Sequence, residues 1–451
     1  MENRREMLAK APLLPLLIKL SVPAMLGMFV MASYNVVDAI FIGWGVGPLG
    51  IAATSVAFPM QLFVGALSMW IAMGTASLSS RRLGAGLDDD AERALANGFL
   101  MSSVLGFVTM TLGLTFVDQL IGLMGTGEPV AGYAKEYLRI VFLGNPLIIV
   151  GMLFNNTIRS EGNTRYAMYS MVLPAVLNVF LDPLFIFGFK MGMAGAAWAT
   201  VTGQLVTFLW VLRYYLTGRR SLIELKFSKM PLRWEIDREI LSVGASEFAR
   251  QGALTVANSI LMNQISRYGT PQHIAAFSIM MKVSSLAVMP IFGLGQGMQP
   301  IVGYCWGAGL YARARKTIEL ALGAALAITA TAEVFLLTFP HVFVRAFTND
   351  PEVVRLTVWG VRILQSTFAI VGFQVIGTVV FQALGFAGPA LFLSMSRQVI
   401  FFIPALVFLP RFWGVTGVFA SYPVADVAAC CVTLGFLLVY RKRFRRLEEK
   451  Q

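Results

Sequence analysis

Long apolar runs, separated by short polar links, follow one another along almost the whole chain. Each run reaches or exceeds the roughly 20 residues that a helix needs to cross the hydrocarbon core of a bilayer. Prolines inside the runs, such as Pro59 and Pro290, are compatible with this interpretation because transmembrane helices tolerate proline better than soluble helices do. The pattern predicts twelve transmembrane helices, at residues 14–43, 51–79, 95–122, 134–158, 166–188, 193–215, 238–266, 275–303, 315–344, 356–382, 389–410 and 414–440.

The composition supports an all-α, polytopic membrane protein. Hydrophobic residues make up 57% of the chain and charged residues 13%, whereas a soluble domain has about 25% charged residues. This balance excludes a soluble globular protein, a disordered chain and a disulfide scaffold. The cysteines, Cys305, Cys430 and Cys431, lie inside apolar runs and form no CxxC motif. We therefore expect no metal framework and no disulfide framework.

The net charge of +12 comes from Lys and Arg residues in the links. Of these, 24 lie at the two termini and in the links that follow even-numbered helices, and five lie on the opposite side. Because basic links stay in the cytoplasm, both termini are predicted to be cytoplasmic. The distribution indicates topology, so we expect a multi-pass protein of the cytoplasmic (inner) membrane without a nucleic-acid partner. The first helix lacks a small-residue cleavage site and is expected to be retained.

The chain resembles itself when it is shifted by 221 to 223 residues. Leu20-Ser21-Val22 recurs as Leu241-Ser242-Val243, and Gly84-Ala85-Gly86 recurs as Gly307-Ala308-Gly309. Six helices per half is an even number, so the two halves form a parallel repeat, which is typical of transporters with two lobes. The predicted domains are an N-terminal lobe at 1–216, a basic cytoplasmic linker at 217–237, and a C-terminal lobe with a basic tail at 238–451.

Few ionisable or strongly polar side chains lie inside the predicted helices, and those of the first half form a pattern. An ionisable side chain at mid-bilayer costs at least about 2.5–3.5 kcal/mol, so each is a candidate for function. Helix 1 contains Asn35 and Asp38, and helix 5 contains Asn178 and Asp182, which share one helix face at i, i+4. Further candidates are Thr200 of helix 6 and, as supporting polar residues of helix 4, Asn155 and Asn156.

Two carboxylates facing one cavity suit a coupling cation. Na⁺ prefers oxygen ligands. A proton would suit the site equally well, because two carboxylates held close together favour protonation of one of the two. The sequence leaves the choice between Na⁺ and H⁺ open. Neither Asp38 nor Asp182 has a matching acid in the second half, so a coupling site is expected in the first lobe alone.

The second half offers Glu247, three residues before Arg250. One interpretation is an internal ion pair on one helix face, and the other is a contact for a cationic substrate or a second proton site. Methionine surfaces adapt to varied hydrophobic ligands, so Met60 and Met280 are further candidates for substrate contact. Asp426, Lys282 and Arg397 are other ionisable residues within the predicted helices.

The chain contains no Walker A, HExxH or GxSxG motif. We therefore expect no enzymatic activity, no cofactor, and transport driven by an ion gradient or by the substrate's own gradient. Rival hypotheses are a flippase or exporter of a lipid-linked or other metabolite, a membrane-embedded enzyme that uses the two aspartates as a dyad, and a passive channel. No oligomerisation signal is evident, so a monomer is expected.

At these residues the chain resembles the multidrug and toxic compound extrusion (MATE) family. The resemblance covers essentially the whole chain. It rests on four motifs: Pro23 with Asp38, Asn178 and Asp182 followed by Pro183, Gly195-Ala196-Ala197 with Thr200, and the RSEGNT stretch at 159–164 with its FQALG counterpart at 381–385.

The resemblance implies a cation-coupled antiporter that exports amphipathic, often cationic, organic compounds by alternating access of two lobes. It implies an ion site formed by Asp38, Asn178, Asp182 and Thr200, and a hinge at Pro23. Some family members carry a carboxylate in helix 10 near the position of Val371, which this chain lacks. The first-lobe pair is therefore favoured as the coupling site, and Glu247 as a substrate contact.

Overall fold

A computed structural model describes residues 2–217, 221–348 and 350–449 of the chain. Within these ranges the protein forms seventeen α-helices and no β-strand. Residues 218–220 of the predicted linker, including Arg219 and Arg220 of the charge count, lie outside the described residues. Residues 450 and 451 of the predicted C-terminal tail, including Lys450, also lie outside them.

The first half contains eight helices joined by short links. Hydrophobic helices end where glycine or proline interrupts the backbone ladder of hydrogen bonds. The bounds are α1 Glu2–Lys10, α2 Leu13–Gly45, α3 Pro48–Gly84, α4 Asp88–Leu123, α5 Val130–Leu143, α6 Asn145–Ser160, α7 Thr164–Pro183 with a π-helical continuation Leu184–Gly188, and α8 Gly192–Leu216.

The second half repeats this order after a short 3₁₀ turn at Phe227–Lys229. As in the first half, its helix pairs are joined by a few residues. The bounds are α9 Trp234–Tyr268, α10 Pro271–Gly307, α11 Tyr311–Thr338, α12 Pro340–Arg345, α13 Pro351–Leu364, α14 Phe368–Leu384, α15 Ala387–Met395, a π-helical segment Ser396–Phe402, α16 Ile403–Phe408 and α17 Pro410–Glu448.

Each of the twelve predicted transmembrane helices corresponds to one helix, to helical segments joined through a π-helical turn, or to one bent pair. Among the described residues, nine helices, counting the π-helical and broken continuations, are long and apolar enough to cross a membrane, and two bent pairs qualify when each pair counts as one span. The remaining predicted helix is α9, which is 35 residues long but carries more charge, including Asp237 and Glu239 in its first turns. The protein is therefore a multi-pass membrane protein with an all-helical fold.

Two spans predicted as single helices are bent instead. The span predicted at 134–158 consists of α5 and α6, which meet at 51°, and the span predicted at 356–382 consists of α13 and α14, which meet at 54°. Pro146 lies in the first turn of α6, where its missing N–H costs no hydrogen bond. The two bends occupy matching places in the two halves, in agreement with the internal repeat.

The chain divides into two compact units whose composition differs from the predicted lobes. Unit 1 contains Leu26–Gly244 together with the chain up to Met7. Unit 2 contains Leu8–Met25 together with the chain from Ala245 onward. The first part of α2 thus belongs to unit 2, and the first part of α9 belongs to unit 1. The changeovers fall at matching places, because Pro23 and Gly244 are related by the repeat.

In unit 1 the start of α9 packs closely on α3. A Cβ added at Gly74 of α3 would overlap the carbonyl oxygen of Ile240, and one at Gly244 of α9 would overlap the carbonyl oxygen of Trp70. The indole Nε1 of Trp70 donates a hydrogen bond to the carbonyl oxygen of Leu241 at 2.8 Å. Glycine at both crossing points lets the two backbones approach, as is common where membrane helices pack.

Unit 2 contains the matching contact between α10 and the start of α2. A Cβ at Gly297 would overlap Ser21, and one at Gly293 would overlap Met25. Gly297 is the repeat counterpart of Gly74 at a spacing of 223 residues. Unit 1 therefore holds the first part of α9, and unit 2 holds the first part of α2, through the same kind of close contact at a glycine.

Candidate functional site

The predicted ion-coupling residues lie together inside unit 1. Tyr34 and Asp38 are separated by four residues in α2 and lie on one helix face, as Asn178 and Asp182 do in α7. Nδ2 of Asn178 donates a hydrogen bond to the hydroxyl oxygen of Tyr34 at 2.9 Å. This bond joins α2 to α7, at positions one helical turn away from Asp38 and Asp182.

Thr200 of α8 completes the contact from a third helix. Its Oγ1 lies 3.5 Å from the Tyr34 hydroxyl oxygen and donates to the carbonyl oxygen of Ala196 at 3.1 Å. Gly203, one turn further along α8, has no side chain, and a Cβ there would come within 2.9 Å of Oδ1 of Asn178. The small residue leaves room for the Asn178 side chain between α7 and α8.

The two carboxylates lack the partners that a buried acid normally has. Asp182 is fully buried, and neither of its oxygens accepts a hydrogen bond. Oδ1 of Asp38 is likewise buried without a hydrogen-bond partner. The two side chains are close enough to interact electrostatically. Neither forms an ion pair with any described residue, so no side-chain cation balances them.

Further oxygen atoms in unit 1 are buried without a partner. Oδ1 of Asn178 accepts no hydrogen bond, and neither does Oε1 of Gln204 on α8. A buried polar atom left unpaired costs about 1–3 kcal/mol. Retaining such acceptors on α7 and on the adjacent α8 is chemically consistent with a hard cation or a proton as the missing partner.

Two more polar side chains belong to this cluster and were not predicted. Tyr137 of α5 interacts electrostatically with Asp38 and Asp182, and its hydroxyl accepts a hydrogen bond from Nε2 of Gln61 at 3.2 Å. Tyr137 lies in the apolar core of unit 1, and only its hydroxyl group is polar. In the sequence it is a tyrosine in an amphipathic segment, and no spacing rule links it to Asp38.

The backbone around Asp182 is irregular. α7 reaches Pro183, which has no N–H to donate, and the chain continues as the π-helical turn Leu184–Gly188. Single π-helical turns inside α-helices occur frequently at functional sites. Here the change of helix type places Asp182 at the last regular turn of α7.

The predicted supporting residues lie elsewhere. Asn35 is exposed on α2, and no described contact joins it to Asp182 or Asn178. Asn155 donates from Nδ2 to the carbonyl oxygen of Ala167 at 2.9 Å and so ties α6 to α7. Asn156 accepts a hydrogen bond from Arg159 at 2.8 Å. None of the three contacts the carboxylate cluster, because their helix positions face other neighbours.

The predicted hinge residue Pro23 is buried within an uninterrupted α2. The chain passes from unit 2 to unit 1 directly after it, between Met25 and Leu26. A proline here removes one hydrogen bond from the helix ladder. The location is suited to a hinge, and the hinge role remains a prediction.

In unit 2, Glu247 is buried and forms an ion pair with Arg250, whose Nε lies 3.0 Å from Oε2 of the carboxylate. Arg250 also lies over the ring of Phe292. The internal pair was one of the two interpretations of the sequence, and this geometry corresponds to it. A substrate or proton role for Glu247 remains a prediction.

The methionines proposed for substrate contact are packing residues in this conformation. Met280 is fully buried in the core of unit 2, where its side chain fills the space beside Gly360. Met60 is partly buried against the core of unit 1. A role for Met60 and Met280 in substrate contact remains a prediction.

Comparison with known proteins gives consistent matches along the chain. The sequence model of the MatE family matches residues 23–184 and 251–407. The multidrug export protein MepA of Staphylococcus saprophyticus is 26% identical over 432 residues, which are 95% of this chain and 94% of that protein. An FAD transporter of Shewanella oneidensis is 24% identical over 437 residues, with 95% and 94% covered.

A solved structure is similar as well. The outward-facing conformation of a multidrug resistance MATE family transporter of the MOP superfamily has a TM-score of 0.89 to this chain at 25% sequence identity, with 96% of both chains covered. The match confirms the predicted all-helical, two-lobed fold. Since the family model covers well over half of the residues, the protein belongs to the MatE family of transporters.

Proposed function

We propose that this protein is a secondary active exporter of the cytoplasmic membrane, which moves amphipathic, often cationic, organic compounds out of the cell in exchange for Na⁺ or H⁺. The observation that supports coupling is the carboxylate pair Asp38 and Asp182, in which Oδ1 of Asp38 and both oxygens of Asp182 are buried without a hydrogen-bond partner. In this proposal the protein acts as a monomer, needs no cofactor other than the coupling ion, and catalyses no chemical reaction.

The proposed transport cycle is based on the same two carboxylates. A monovalent cation that enters from outside balances one of the two negative charges of Asp38 and Asp182, and the electrostatic repulsion within the pair falls. The less charged site allows α2 and α7 to approach, and α2 adjusts near Pro23. Transport is coupled if the substrate binds more tightly to the protein without the cation, because each ligand then lowers the affinity for the other.

Na⁺ and H⁺ differ in the ligands that they require from the site. Na⁺ needs several oxygen ligands, for which Asp38, Asp182 and Oδ1 of Asn178 are candidates. A proton needs only a carboxylate that holds it at physiological pH. Gradients imposed separately distinguish the two ions.

The substrate class is inferred from the family and from MepA, a multidrug export protein. The FAD transporter supports an alternative, the export of an anionic metabolite. That alternative requires positive charge free to bind an anion. In unit 2, Arg250 is paired with Glu247, and Nε of Arg397 lies 2.6 Å from Oδ1 of Asp426. Both of these arginines are balanced by carboxylates, which favours organic cations as substrates.

Efflux of ethidium from proteoliposomes tests the proposal, with a Na⁺ gradient and a pH gradient imposed separately. Asp38→Asn should reduce gradient-driven efflux at least tenfold. The matched control is Asp118→Asn, because Asp118 is more than half exposed and forms an ion pair with Lys135 at the surface. A flavin nucleotide is assayed in parallel as the anionic substrate.

Efflux driven by one gradient and lost only in Asp38→Asn would support antiport and identify the coupling ion. Undiminished efflux by Asp38→Asn would overturn the ion-site assignment. Transport of the flavin nucleotide in place of ethidium would overturn the substrate class and leave the coupling proposal intact.

A further inference from the structure

A groove lies between α11, α14 and α17 of unit 2, with a volume of about 80 Å³. Its walls are apolar and include Ile318, Leu322, Val380 and Leu437. Two arginines, Arg315 and Arg441, and one glutamate, Glu319, line the same groove. The combination of an aliphatic floor and cationic side chains in one groove matches the chemistry of a molecule with an acyl chain and an anionic headgroup.

The groove lies at the ends of its three helices. Arg315 is in the second turn of α11, Leu384 is the last residue of α14, and Arg441 is in the last turns of α17. Their sequence places all three at the predicted cytoplasmic boundary of the membrane. The apolar lining continues along α17 into Leu434 and Leu438, which are about half exposed. Such side chains face lipid in a membrane-spanning helix.

The end of α17 is fixed against the bundle. Phe444 is 5% exposed, and its ring centre lies 5.2 Å from that of Trp306. Nε of Arg315 forms an ion pair with Oε1 of Glu448 at 2.9 Å. The anchored helix leaves the basic side chains on its other faces exposed, and these are Arg441, Lys442, Arg443, Arg445 and Arg446.

These basic residues outnumber the acidic residues around them. Arg315 is held by Glu319 and Glu448, while Arg441 approaches Glu319 only at 3.9 Å. A cluster of four to eight Lys and Arg directly following a membrane helix attracts anionic lipid headgroups, with about 1 kcal/mol for each basic residue near the surface. The net positive charge is complementary to a phosphate group.

We propose that this groove binds an anionic phospholipid, with one acyl chain along Leu322 and Leu437 and the phosphate at Arg441 and the neighbouring basic residues of α17. The bound lipid holds the end of α17 at the membrane surface. The proposal concerns unit 2 alone and is independent of the coupling ion and of the exported compound.

Native mass spectrometry of the full-length, delipidated protein in detergent tests the proposal. The protein is titrated with phosphatidylglycerol and with phosphatidylcholine of identical chains. We expect phosphatidylglycerol to bind at least fivefold more tightly, and Arg441→Gln to weaken that binding about fivefold, as expected for one basic residue. Arg139→Gln is the matched control, since its side chain is 53% exposed and that of Arg441 is 52% exposed.

A second variant separates the acyl chain from the headgroup. Leu437→Trp fills the groove and should weaken the binding of both lipids without changing their ratio. Equal binding of the two lipids, or equal loss in Arg441→Gln and Arg139→Gln, would overturn the proposal. Complete displacement of phosphatidylglycerol by millimolar inorganic phosphate would overturn it as well, because the site would then recognise an anion without an acyl chain.

Discussion

Asn178 donates a hydrogen bond to the hydroxyl oxygen of Tyr34 at 2.9 Å and thereby joins α7 to α2. Each of these residues lies one helical turn from a buried carboxylate, Asp182 and Asp38 respectively. The bond therefore fixes the relative placement of the two acids. Oδ1 of Asn178 has no hydrogen-bond partner and remains as an oxygen donor beside them.

The first prediction concerns this hydrogen bond. Tyr34→Phe removes the hydroxyl that accepts from Asn178 and contacts Thr200, while the ring remains. We expect a three- to tenfold weaker response of efflux to the coupling ion, since a hydrogen bond contributes about 0.5–1.5 kcal/mol. The measurement is the ion concentration for half-maximal ethidium efflux. Tyr169→Phe, on the exposed face of α7, should behave as wild type. An unchanged ion dependence in Tyr34→Phe would exclude Tyr34 from the site.

The second prediction concerns the crossing of α3 and α9. Gly74→Ala places a methyl group on the carbonyl oxygen of Ile240, so the two backbones must separate. We expect a loss of about 1–3 kcal/mol, the cost of overpacking, seen as a lower melting temperature in detergent. Gly65→Ala in the same helix has no neighbouring atom within 4 Å of the new methyl and should leave the melting temperature unchanged. Equal melting temperatures of the two variants would refute the close approach.

The third prediction concerns Glu161, in the link between α6 and α7. Burial raises its pKa to about 7, and the hydrogen bond from Leu222, the charge of Arg4 and the hydrogen bonds from Ser221 and Tyr214 only partly oppose this. Its carboxyl group therefore binds a proton more tightly in the folded protein than in the unfolded chain, where its pKa is near 4.5. Stability from this group is present below pH 4.5 and falls as the pH rises through 7.

Glu161→Gln removes this proton-linked contribution. The stability of wild type relative to Glu161→Gln should decrease by up to about 3 kcal/mol between pH 4.5 and pH 8. Melting temperatures of both proteins across this range provide the measurement. A difference that stays constant with pH would mean that the carboxyl group is ionised throughout, and that the Leu222, Ser221 and Tyr214 donors outweigh its burial.

The sequence predicts the helices and the residues Asp38, Asn178, Asp182 and Thr200 of the cluster, because the spans and the Asn178–Asp182 pair follow periodic rules. Apolar runs of membrane length specify the spans, and the i, i+4 spacing of Asn178 and Asp182 specifies a common face. Tyr34 lies in the same motif as Asp38, one turn away. Tyr137 and Gln61 belong to α5 and α3. Their position beside the cluster depends on how those helices pack, and the spacing of residues in the sequence does not predict that packing.

The assignment of helix segments to the two units also could not be predicted. Leu8–Met25 carries an ordinary apolar pattern that fits either bundle, and the more polar start of α9, up to Gly244, does not by its pattern name the helix on which it packs. The contacts that select a bundle are single glycines, Gly297 for α2 and Gly74 for α9, whose role appears only when a second backbone lies against them. The bends between α5 and α6 and between α13 and α14 likewise leave the apolar pattern continuous.

The central claim is that Asp38 and Asp182 form an exchangeable cation site. The most direct measurement is cation binding to the purified protein by titration calorimetry, with NaCl replacing choline chloride at constant ionic strength, and with proton release recorded in a weakly buffered sample. Wild type and Asp118→Asn should bind Na⁺ saturably or exchange a proton, and Asp182→Asn should do neither. Identical Na⁺ binding and proton exchange in Asp182→Asn and wild type would contradict the account.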